Sequence, residues 1–479
     1  MWSFEGRMAM RCLVVFLLGL AASLGDLSPC VAQGVPPLSL WQVNSIPNGG
    51  PVMGKKLWRL GDLDQDGVDD LAVFLSSQWA PDEIQILSGA TGAVIHSYQA
   101  LSLNPTLQLS FESIVPNCFD QDGDGVEDFM VGFKESDIAT GVVTLEWRIM
   151  SGATGVVVRV PPTLIAPFTG VADYDGDGLP DILAGDTSQV VSSVGIYSSV
   201  TGQLLIQTTG TVPFGAFGWD VKVVGDVNGD GWDDYVTTEG NSAYPGSPTF
   251  VYMISGVDGS ILYSLVGTPT FLYGRYVAKA GDMNGDGIPD FAVQAGYPIS
   301  VEVHSGVDGS LIHSIGRPGP LFVNGVLCTT FGWTLVGGED LDGDAVPDLV
   351  IGDPLAPNAA GDASAGRIYL LSGAAGTLTE MDQGGFSSTF VGCGPGGGLG
   401  ESLAMLGDVN GDGLADVAVG APNQLVNPNQ YGFVRAYAGQ PWTSDGARAG
   451  NVNANGVGGV VDVLRVDAGM TGQPSAGQG

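Results

Sequence analysis

The hydrophobic positions of this chain fall into short runs rather than into a helical spacing. Seven of these runs start at an aspartate, and they read DLAVFL, DFMVGF, DILAGD, DYVTTE, DFAVQAG, DLVIGDP and DVAVGAP. Short apolar runs with β-branched residues are typical of buried strands. The pattern therefore predicts an all-β protein.

Each of these runs follows an acidic segment with the pattern D-x-[DN]-x-[DN]-G-x-x-D. The seven segments are DLDQDGVDD, DQDGDGVED, DYDGDGLPD, DVNGDGWDD, DMNGDGIPD, DLDGDAVPD and DVNGDGLAD. They begin at Asp62, Asp120, Asp173, Asp226, Asp282, Asp340 and Asp408. Only the sixth departs from the pattern, because Ala345 replaces its glycine. The spacing fits one four-stranded blade with its loops, repeated seven times.

The residue types in each segment match the requirements of a calcium loop. Oxygen-bearing side chains at positions one, three and five, a backbone carbonyl at seven and a carboxylate at nine would surround one Ca²⁺ with hard oxygens. Position six turns sharply and favours glycine. The sequence therefore predicts about seven Ca²⁺ ions per chain, with a structural role. The predicted ligands are Asp62, Asp64, Asp66, Val68, Asp70, Asp120, Asp122, Asp124, Val126, Asp128, Asp173, Asp175, Asp177, Leu179, Asp181, Asp226, Asn228, Asp230, Trp232, Asp234, Asp282, Asn284, Asp286, Ile288, Asp290, Asp340, Asp342, Asp344, Val346, Asp348, Asp408, Asn410, Asp412, Leu414 and Asp416.

A second repeated feature is a hairpin turn with the pattern S-G-x-x-G. It occurs at Ser88–Gly92, Ser151–Gly155, Ser255–Gly259, Ser305–Gly309 and Ser372–Gly376. Glycine at such positions allows a tight connection between two strands. We name the strands of each repeat A to D. The acidic loop is then predicted to join A to B, and this turn to join C to D.

The chain resembles the FG-GAP repeats of the integrin α-subunit propeller over residues 38–440. Phe217-Gly218-Trp219 and Phe331-Gly332-Trp333 open strand A, and Gly420-Ala421-Pro422 and the variant Gly352-Asp353-Pro354 close strand B. Tyr273-Gly274 and Leu399-Gly400 stand in for FG in two other repeats. The resemblance implies a seven-bladed β-propeller with Ca²⁺ in the A–B loops. Trp219 and Trp333, directly after FG, are expected in the core.

The seventh repeat lacks a fourth strand after its third one, YGFVRAYAG. The segment LSLWQVNSIPNG, ahead of the first strand A, has the length and pattern of a strand D. Pairing of residues 40–45 with residues 433–438 would remove two exposed sheet edges. The sequence therefore predicts a ring closed by its N-terminal strand.

Composition and charge set limits on the partners. The chain has 479 residues, 44% of them hydrophobic, and a formal net charge of −35. This charge argues against nucleic acid or an anionic membrane as the partner. Arg7 and Arg11 flank an apolar run that ends in small residues before Gln33, so residues 1–32 are predicted to be a signal peptide. We expect a secreted or cell-surface monomer with no membrane span in its mature form.

The cysteines and the C-terminal tail complete the organisation. Cys118 is expected to be a buried thiol, and Cys328 and Cys393 either form a bridge between neighbouring repeats or remain reduced. Residues 441–479 form a tail, in which residues 451–466 resemble half of a dockerin. We expect poor metal affinity there, because asparagines replace the aspartates.

The sequence contains no recognisable catalytic motif. His96 and His313 occupy the same place in their repeats, which favours a structural role, and His304 is predicted on a strand C. We therefore expect a non-catalytic ligand-binding or adhesion module for an extracellular protein or glycan. The alternative is a calcium-dependent carbohydrate-active enzyme such as a polysaccharide lyase. Variable loops carry aromatic residues that either contact a ligand or pack under their own loops, namely Trp79, Tyr244, Phe271 and Phe322.

Overall fold

The computed structural model shows an all-β chain, as the sequence predicts. The described residues form 30 strands, and no helix occurs among them. No segment of the described chain is a helix with the length and hydropathy needed to cross a membrane. The described residues are 39–45, 52–76, 81–100, 107–116, 118–138, 140–161, 166–186, 191–212, 215–240, 249–267, 273–296, 299–318, 322–323, 326–327, 330–358, 364–384, 398–427 and 430–440.

Seven four-stranded sheets form the blades of a propeller. Blade one contains β2 (Val52–Arg59), β3 (Leu71–Ser76), β4 (Glu83–Leu87) and β5 (Val94–Gln99). Blade two contains β6 (Leu107–Val115), β7 (Phe129–Asp137), β8 (Val143–Met150) and β9 (Val157–Arg159). Blade three contains β10 (Ala166–Val171), β11 (Asp181–Asp186), β12 (Ser193–Tyr197) and β13 (Leu204–Thr209). Blades four and five contain β14 (Val221–Gly225), β15 (Asp234–Glu239), β16 (Phe250–Ile254) and β17 (Ile261–Val266); and β18 (Val277–Gly281), β19 (Asp290–Ala295), β20 (Ser300–His304) and β21 (Leu311–Gly316). Blade six contains β24 (Thr334–Glu339), β25 (Asp348–Asp353), β26 (Arg367–Leu371) and β27 (Leu378–Gln383), and blade seven contains β28 (Ser402–Gly407), β29 (Asp416–Asn427), β30 (Gln430–Tyr437) and β1 (Ser39–Asn44). A separate two-stranded hairpin is formed by β22 (Phe322–Val323) and β23 (Val326–Leu327).

All neighbouring strands within the blades pair antiparallel in sequence order, except that β1 joins blade seven. The first strands of adjacent blades also pack on one another, as β14, β18, β24, β28 and β2 do in turn. Strand A of each blade is therefore the innermost strand. A ring of such strands surrounds the central channel of a propeller.

Apolar packing between blades accounts for the closure of the ring. The buried hydrophobic residues of the described chain fall into seven clusters, and each cluster combines residues of two adjacent blades. Cys118 lies in the cluster between blades two and three and is buried, which confirms the prediction of a buried thiol. Because one cluster joins blade seven to blade one, the ring has no open edge between these two blades.

The N-terminal strand completes blade seven. Asn44 pairs with Phe433 and Trp41 with Ala436, so β1 runs antiparallel along the outer side of β30. The indole Nε1 of Trp41 donates a hydrogen bond to the carbonyl oxygen of Gly89 in blade one, 2.7 Å away. This strand therefore lies where the sequence places it, and it also contacts the neighbouring blade.

The residues after the FG glycines are placed differently from the expectation. Phe217 and Phe331 are fully buried, but Trp219 is 57% exposed and Trp333 is half-buried. The prediction of a core position was therefore wrong for Trp219. Gly218 has a φ of 85°, a left-handed conformation that turns the chain between the phenylalanine and the tryptophan. As a result, Phe217 is buried in the core, and Trp219 is exposed to solvent.

Several predictions fall outside the described residues. These are the signal peptide at residues 1–32, the tail at residues 441–479, Cys328, Cys393, and the loop aromatics Trp79, Tyr244 and Phe271. The side chain of Phe322 also lies outside the described part.

Candidate metal centres

Each acidic loop wraps its backbone around the carboxylate at position one. In loop one, Asp62 Oδ1 accepts a hydrogen bond from the backbone N–H of Asp66 at 3.0 Å, and its Oδ2 accepts one from Gly67 at 2.8 Å. All seven loops have the second of these bonds, at 2.8 to 2.9 Å. Backbone donors lower the pKa of such a carboxyl, and the N–H of Gly125 is the largest cause of the lowered pKa of Asp120. Asp120 is therefore held as an anion.

Positions three and five complete the same turn in every loop. The side-chain oxygen at position three accepts a hydrogen bond from the backbone N–H at position five, and the one at position five accepts from position seven. Asn228 forms this bond at 2.9 Å, and Asp64 forms it at 3.2 Å. Asparagine and aspartate are thus equivalent at position three.

The acidic groups lie close enough together to hold a metal ion in four of the loops. Ligand atoms within 4.8 Å of one another are offered by Asp62, Asp64 and Asp66; Asp120, Asp122 and Asp128; Asp173, Asp175 and Asp181; and Asp340, Asp342 and Asp344. The other three loops have asparagine at position three. Their hydrogen-bond pattern is the same, so we expect the same oxygen cage in all seven.

The aspartate at position nine has a role that the sequence pattern did not indicate. Asp70 is buried, its Oδ2 accepts the backbone N–H of Leu63 at 2.8 Å, and its Oδ1 accepts that of Gly89 at 3.0 Å. Both bonds recur in all seven blades. This carboxylate thus fastens the A–B loop to the C–D turn of its own blade. A carboxylate has about four lone-pair sites, so these bonds leave room for a metal.

Burial of the position-nine carboxylates is electrostatically unfavourable without a cation. Burial raises the pKa of Asp70, Asp348 and Asp416 to about 7, although backbone donors oppose the shift. The pKa values of Asp128 and Asp290 are raised to about 6 for the same reason. A divalent cation beside these groups would favour their charged form. The residues therefore fit a hard divalent cation.

The structure also reveals turns that the sequence search missed. In blade three, Gly202 donates its backbone N–H to the carbonyl oxygen of Ser198 at 2.9 Å, which is the geometry of the S-G-x-x-G turns. Here Ser199 replaces the first glycine and still donates to Asp181. A pattern search that allowed serine at this place would have found the turn. In blade seven, whose fourth strand comes from the N-terminus, Gly439 follows the third strand and donates the equivalent bond to Asp416.

Two loops contain a residue in an unfavourable conformation. Ala345, at position six of loop six, has a φ of 69°, and Gln65, at position four of loop one, has a φ of 60°. Other loops have glycine at both places. The turn that position six requires is therefore present in loop six in spite of the alanine.

The histidines are engaged in structural contacts. His96 Nε2 lies 3.0 Å from the carbonyl oxygen of Gly152, and His313 Nε2 lies 2.9 Å from that of Gly373, so each reaches the C–D turn of the next blade. His304 lies at the end of β20 and contacts Gly309 and Glu302. His96 and His313 thus make equivalent contacts from their equivalent places in the repeats, and His304 lies on a strand C, as predicted.

Fold and loops together define the protein as a seven-bladed β-propeller with an acidic loop in the A–B connection of each blade. Residues 331–371 and 399–442, in blades six and seven, match the family model of the FG-GAP repeat. The chain therefore carries FG-GAP repeats.

Its relatives are integrin α-subunits. The chain is 35% identical to integrin alpha-7 of Rattus norvegicus over 144 residues, which cover 28% of this chain and 12% of the integrin. It is 38% identical to integrin alpha-PS2 of Drosophila melanogaster over 119 residues, which cover 23% and 8%. The match therefore spans an eighth or less of these relatives.

Among solved structures, the chain is similar to the V. cholerae biofilm matrix protein Bap1, with 12% identity, a TM-score of 0.43, and coverage of 87% of this chain and 96% of that one. At this level the likeness indicates nothing about what this chain binds.

Proposed function

We propose that this protein is an exported, calcium-stabilised propeller that acts as a non-catalytic ligand-binding or adhesion module at the cell surface. The observation that carries the proposal is the sevenfold repetition of one loop geometry within FG-GAP repeats. In this proposal each blade binds one Ca²⁺ through positions one, three, five, seven and nine of its loop.

Calcium suits these loops because they present hard oxygen ligands in a flexible arrangement of carboxylates, amides and one carbonyl. The ion would neutralise carboxylates that otherwise repel one another. Since the position-nine aspartate also holds the C–D turn, a bound ion would stiffen both the A–B and the C–D connection of a blade. We therefore assign the ion a structural role, in which it holds the A–B loop and the C–D turn together. Calcium sensors move a pair of helices, and the described chain has no such pair.

A binding role rather than catalysis is supported by the relatives and by the side chains. The proteins that this chain resembles in sequence include integrin α-subunits. Each of the three histidines has one ring nitrogen on the backbone carbonyl oxygen of a turn, which supports a structural role. A rigid ring with variable loops is a common scaffold for recognition.

The first test measures the metal. Native mass spectrometry of the mature chain should show close to seven Ca²⁺, and excess EGTA should lower the melting temperature, because a ligand of the native state stabilises it. Asp230→Ala, at position five of loop four, should lose one ion. Asp258→Ala is the matched control, since Asp258 lies exposed in the C–D turn of the same blade and should leave the count unchanged. An unchanged melting curve in EGTA would contradict the structural role.

The second test addresses ligand and chemistry together. The calcium-loaded chain is applied to glycan and extracellular-protein arrays, and the absorbance of unsaturated products is followed with polysaccharide substrates. We expect binding without turnover. Calcium-dependent cleavage of any polysaccharide would replace this proposal with the carbohydrate-active enzyme.

A further inference from the structure

Basic residues are concentrated at the axis of this acidic protein. The described residues include 12 lysines and arginines, and half of them lie on the innermost strands or within two residues of them. These six are Lys55, Lys56, Arg59, Lys222, Arg275 and Lys279. Acidic side chains lie at the same strands and pair with some of these cations, as Asp220 does with Lys222 and Glu339 does with Arg59. A cation of the axis without such a partner is therefore the place where an anion would be attracted.

The mouth of the channel at the FG end collects side chains from several blades. We define the axial mouth by the residues that follow the FG-type glycines, together with Tyr276; they are Lys55, Trp219, Arg275, Tyr276, Trp333 and Glu401. The backbone N–H of Val277 donates to Asp220 Oδ2 at 3.0 Å, and the ring centroids of Tyr276 and Trp333 lie 6.0 Å apart. Side chains of blades four, five and six thus meet there. The acidic loops follow the opposite ends of the same strands.

Arg275 differs from every other described arginine. Its guanidinium carbon lies 5.3 Å from the ring centroid of Trp333 and 5.6 Å from that of Tyr276. No carboxylate or amide side chain of the described structure pairs with it. The other six described arginines each hydrogen-bond a carboxylate or an amide. The rings of Trp333 and Tyr276 therefore hold the planar guanidinium of Arg275. Within the described residues, no carboxylate accepts the hydrogen bonds that this group can donate.

One further group of the mouth extends this receptor. Trp219, at the equivalent position of blade four, is 57% exposed, and its neighbour Asp220 accepts the backbone N–H of Val277, two residues after Arg275, at 3.0 Å. An exposed indole offers a flat apolar face beside Arg275. Lys55 occupies the equivalent position of blade one, three blades away from Arg275 along the ring.

We propose that the axial mouth binds an acidic saccharide, with the sugar carboxylate on Arg275 and the sugar ring stacked on Trp219. The aromatic face favours a sugar over an acidic peptide, because a pyranose ring presents a flat apolar surface and a carboxylate side chain does not. The strongly negative remainder of the molecule repels a long polyanion such as nucleic acid, whereas a short acidic saccharide reaches only the mouth. This inference rests on the proposed ligand-binding function and names the class of ligand.

The test uses the calcium-loaded full mature chain and isothermal titration with hexasaccharides of hyaluronan, chondroitin sulfate and oligogalacturonate. Methyl-esterified forms remove the carboxylate charge, and hexaglutamate presents carboxylates without a sugar. The variants are Arg275→Gln and Trp219→Ala. Arg148→Gln is the matched control, because Arg148 lies 4.2 Å from the centroid of the Phe133 ring but on the third strand of blade two, away from the axis.

We expect at least one acidic hexasaccharide to bind, its ester and hexaglutamate to bind poorly, and both mouth variants to raise Kd by about tenfold or more, since bonds to charged groups are worth that much. Arg148→Gln should leave Kd unchanged. The proposal is overturned if none of the three acidic sugars binds, if the ester or hexaglutamate binds equally well, or if neither mouth variant changes Kd. If an array ligand then binds independently of Arg275, the ligand-binding function stands and only the mouth is wrong; if no ligand binds, both fall.

Discussion

Gly420 of blade seven lies directly against Gly54 of blade one: a Cβ atom on Gly420 would stand 2.1 Å from the Gly54 carbonyl oxygen. The hydroxyl of Ser402 donates to that same oxygen at 2.8 Å. Blades six and seven meet in the same way, since a Cβ on Gly352 would stand 2.4 Å from the carbonyl oxygen of Gly400. The FG-type glycine of one blade thus receives the GAP-type glycine of the blade before it. The two halves of the motif are linked across the blade interface.

Gly420→Ala should therefore destabilise the ring where it closes. A Cβ in this closely packed site forces the backbones apart, which we expect to cost about 1–3 kcal/mol in the free energy of unfolding. Urea unfolding in excess calcium measures it. Gly316→Ala is the control, because a Cβ at Gly316 meets nothing within 4 Å. Equal stability of the two variants would show that the interface adjusts without cost.

Deletion of residues 38–47 should open the ring. This removes β1, its pairing with β30 and the contact of Trp41 with Gly89, and it leaves β30 as an unpaired edge. We expect oligomers or aggregates in size-exclusion chromatography and a lower melting temperature. Deletion of the ten residues 451–460 of the tail is the control. A monomeric variant with an unchanged melting temperature would mean that the closure does not depend on β1.

Ala345→Gly should raise the calcium affinity of loop six. Ala345 has a φ of 69°, and a residue with a Cβ atom pays about 1–2 kcal/mol for that conformation relative to glycine. Calcium titration by calorimetry should show the weakest of the sites becoming tighter, and Asp344→Asn in the same background should remove the gain. No change in affinity would indicate that the loop turns differently when the metal is bound.

Glu401→Gln should stabilise the protein above neutral pH and not below pH 5. Burial raises the pKa of Glu401 to about 7, against the opposing charge of Lys55, and its value in the unfolded chain is about 4.3. A raised pKa means that the folded state binds the proton more tightly than the unfolded chain does. The stability that the protonated Glu401 contributes is therefore fully present below pH 4 and is lost as the pH rises through 7. Melting temperatures of both proteins at pH 5 and pH 8, in excess calcium, measure the difference. Glu146→Gln, at an exposed site, is the control. A difference that does not change with pH would refute the assignment.

The sequence alone determined the repeat, the strands and the loops. The period of the aspartates and the apolar runs after them are local properties, because a metal loop and a buried strand each need their residue types within about ten positions. The pairing of β1 with blade seven could also be predicted, since a missing fourth strand and an unpaired first one are both visible in the chain.

Tertiary structure decided the features that depend on contacts between repeats. The exposure of Trp219 follows from the left-handed turn at Gly218, and nothing in FGW distinguishes a core side chain from one at the channel mouth. The clamp formed by Asp70 joins residues that lie 19 positions apart, so a loop pattern cannot reveal it. The meeting of Arg275 with Trp333, 58 positions later, depends on how adjacent blades pack. Such contacts are set by the closed ring, in which the inner strands of separate repeats converge on one axis.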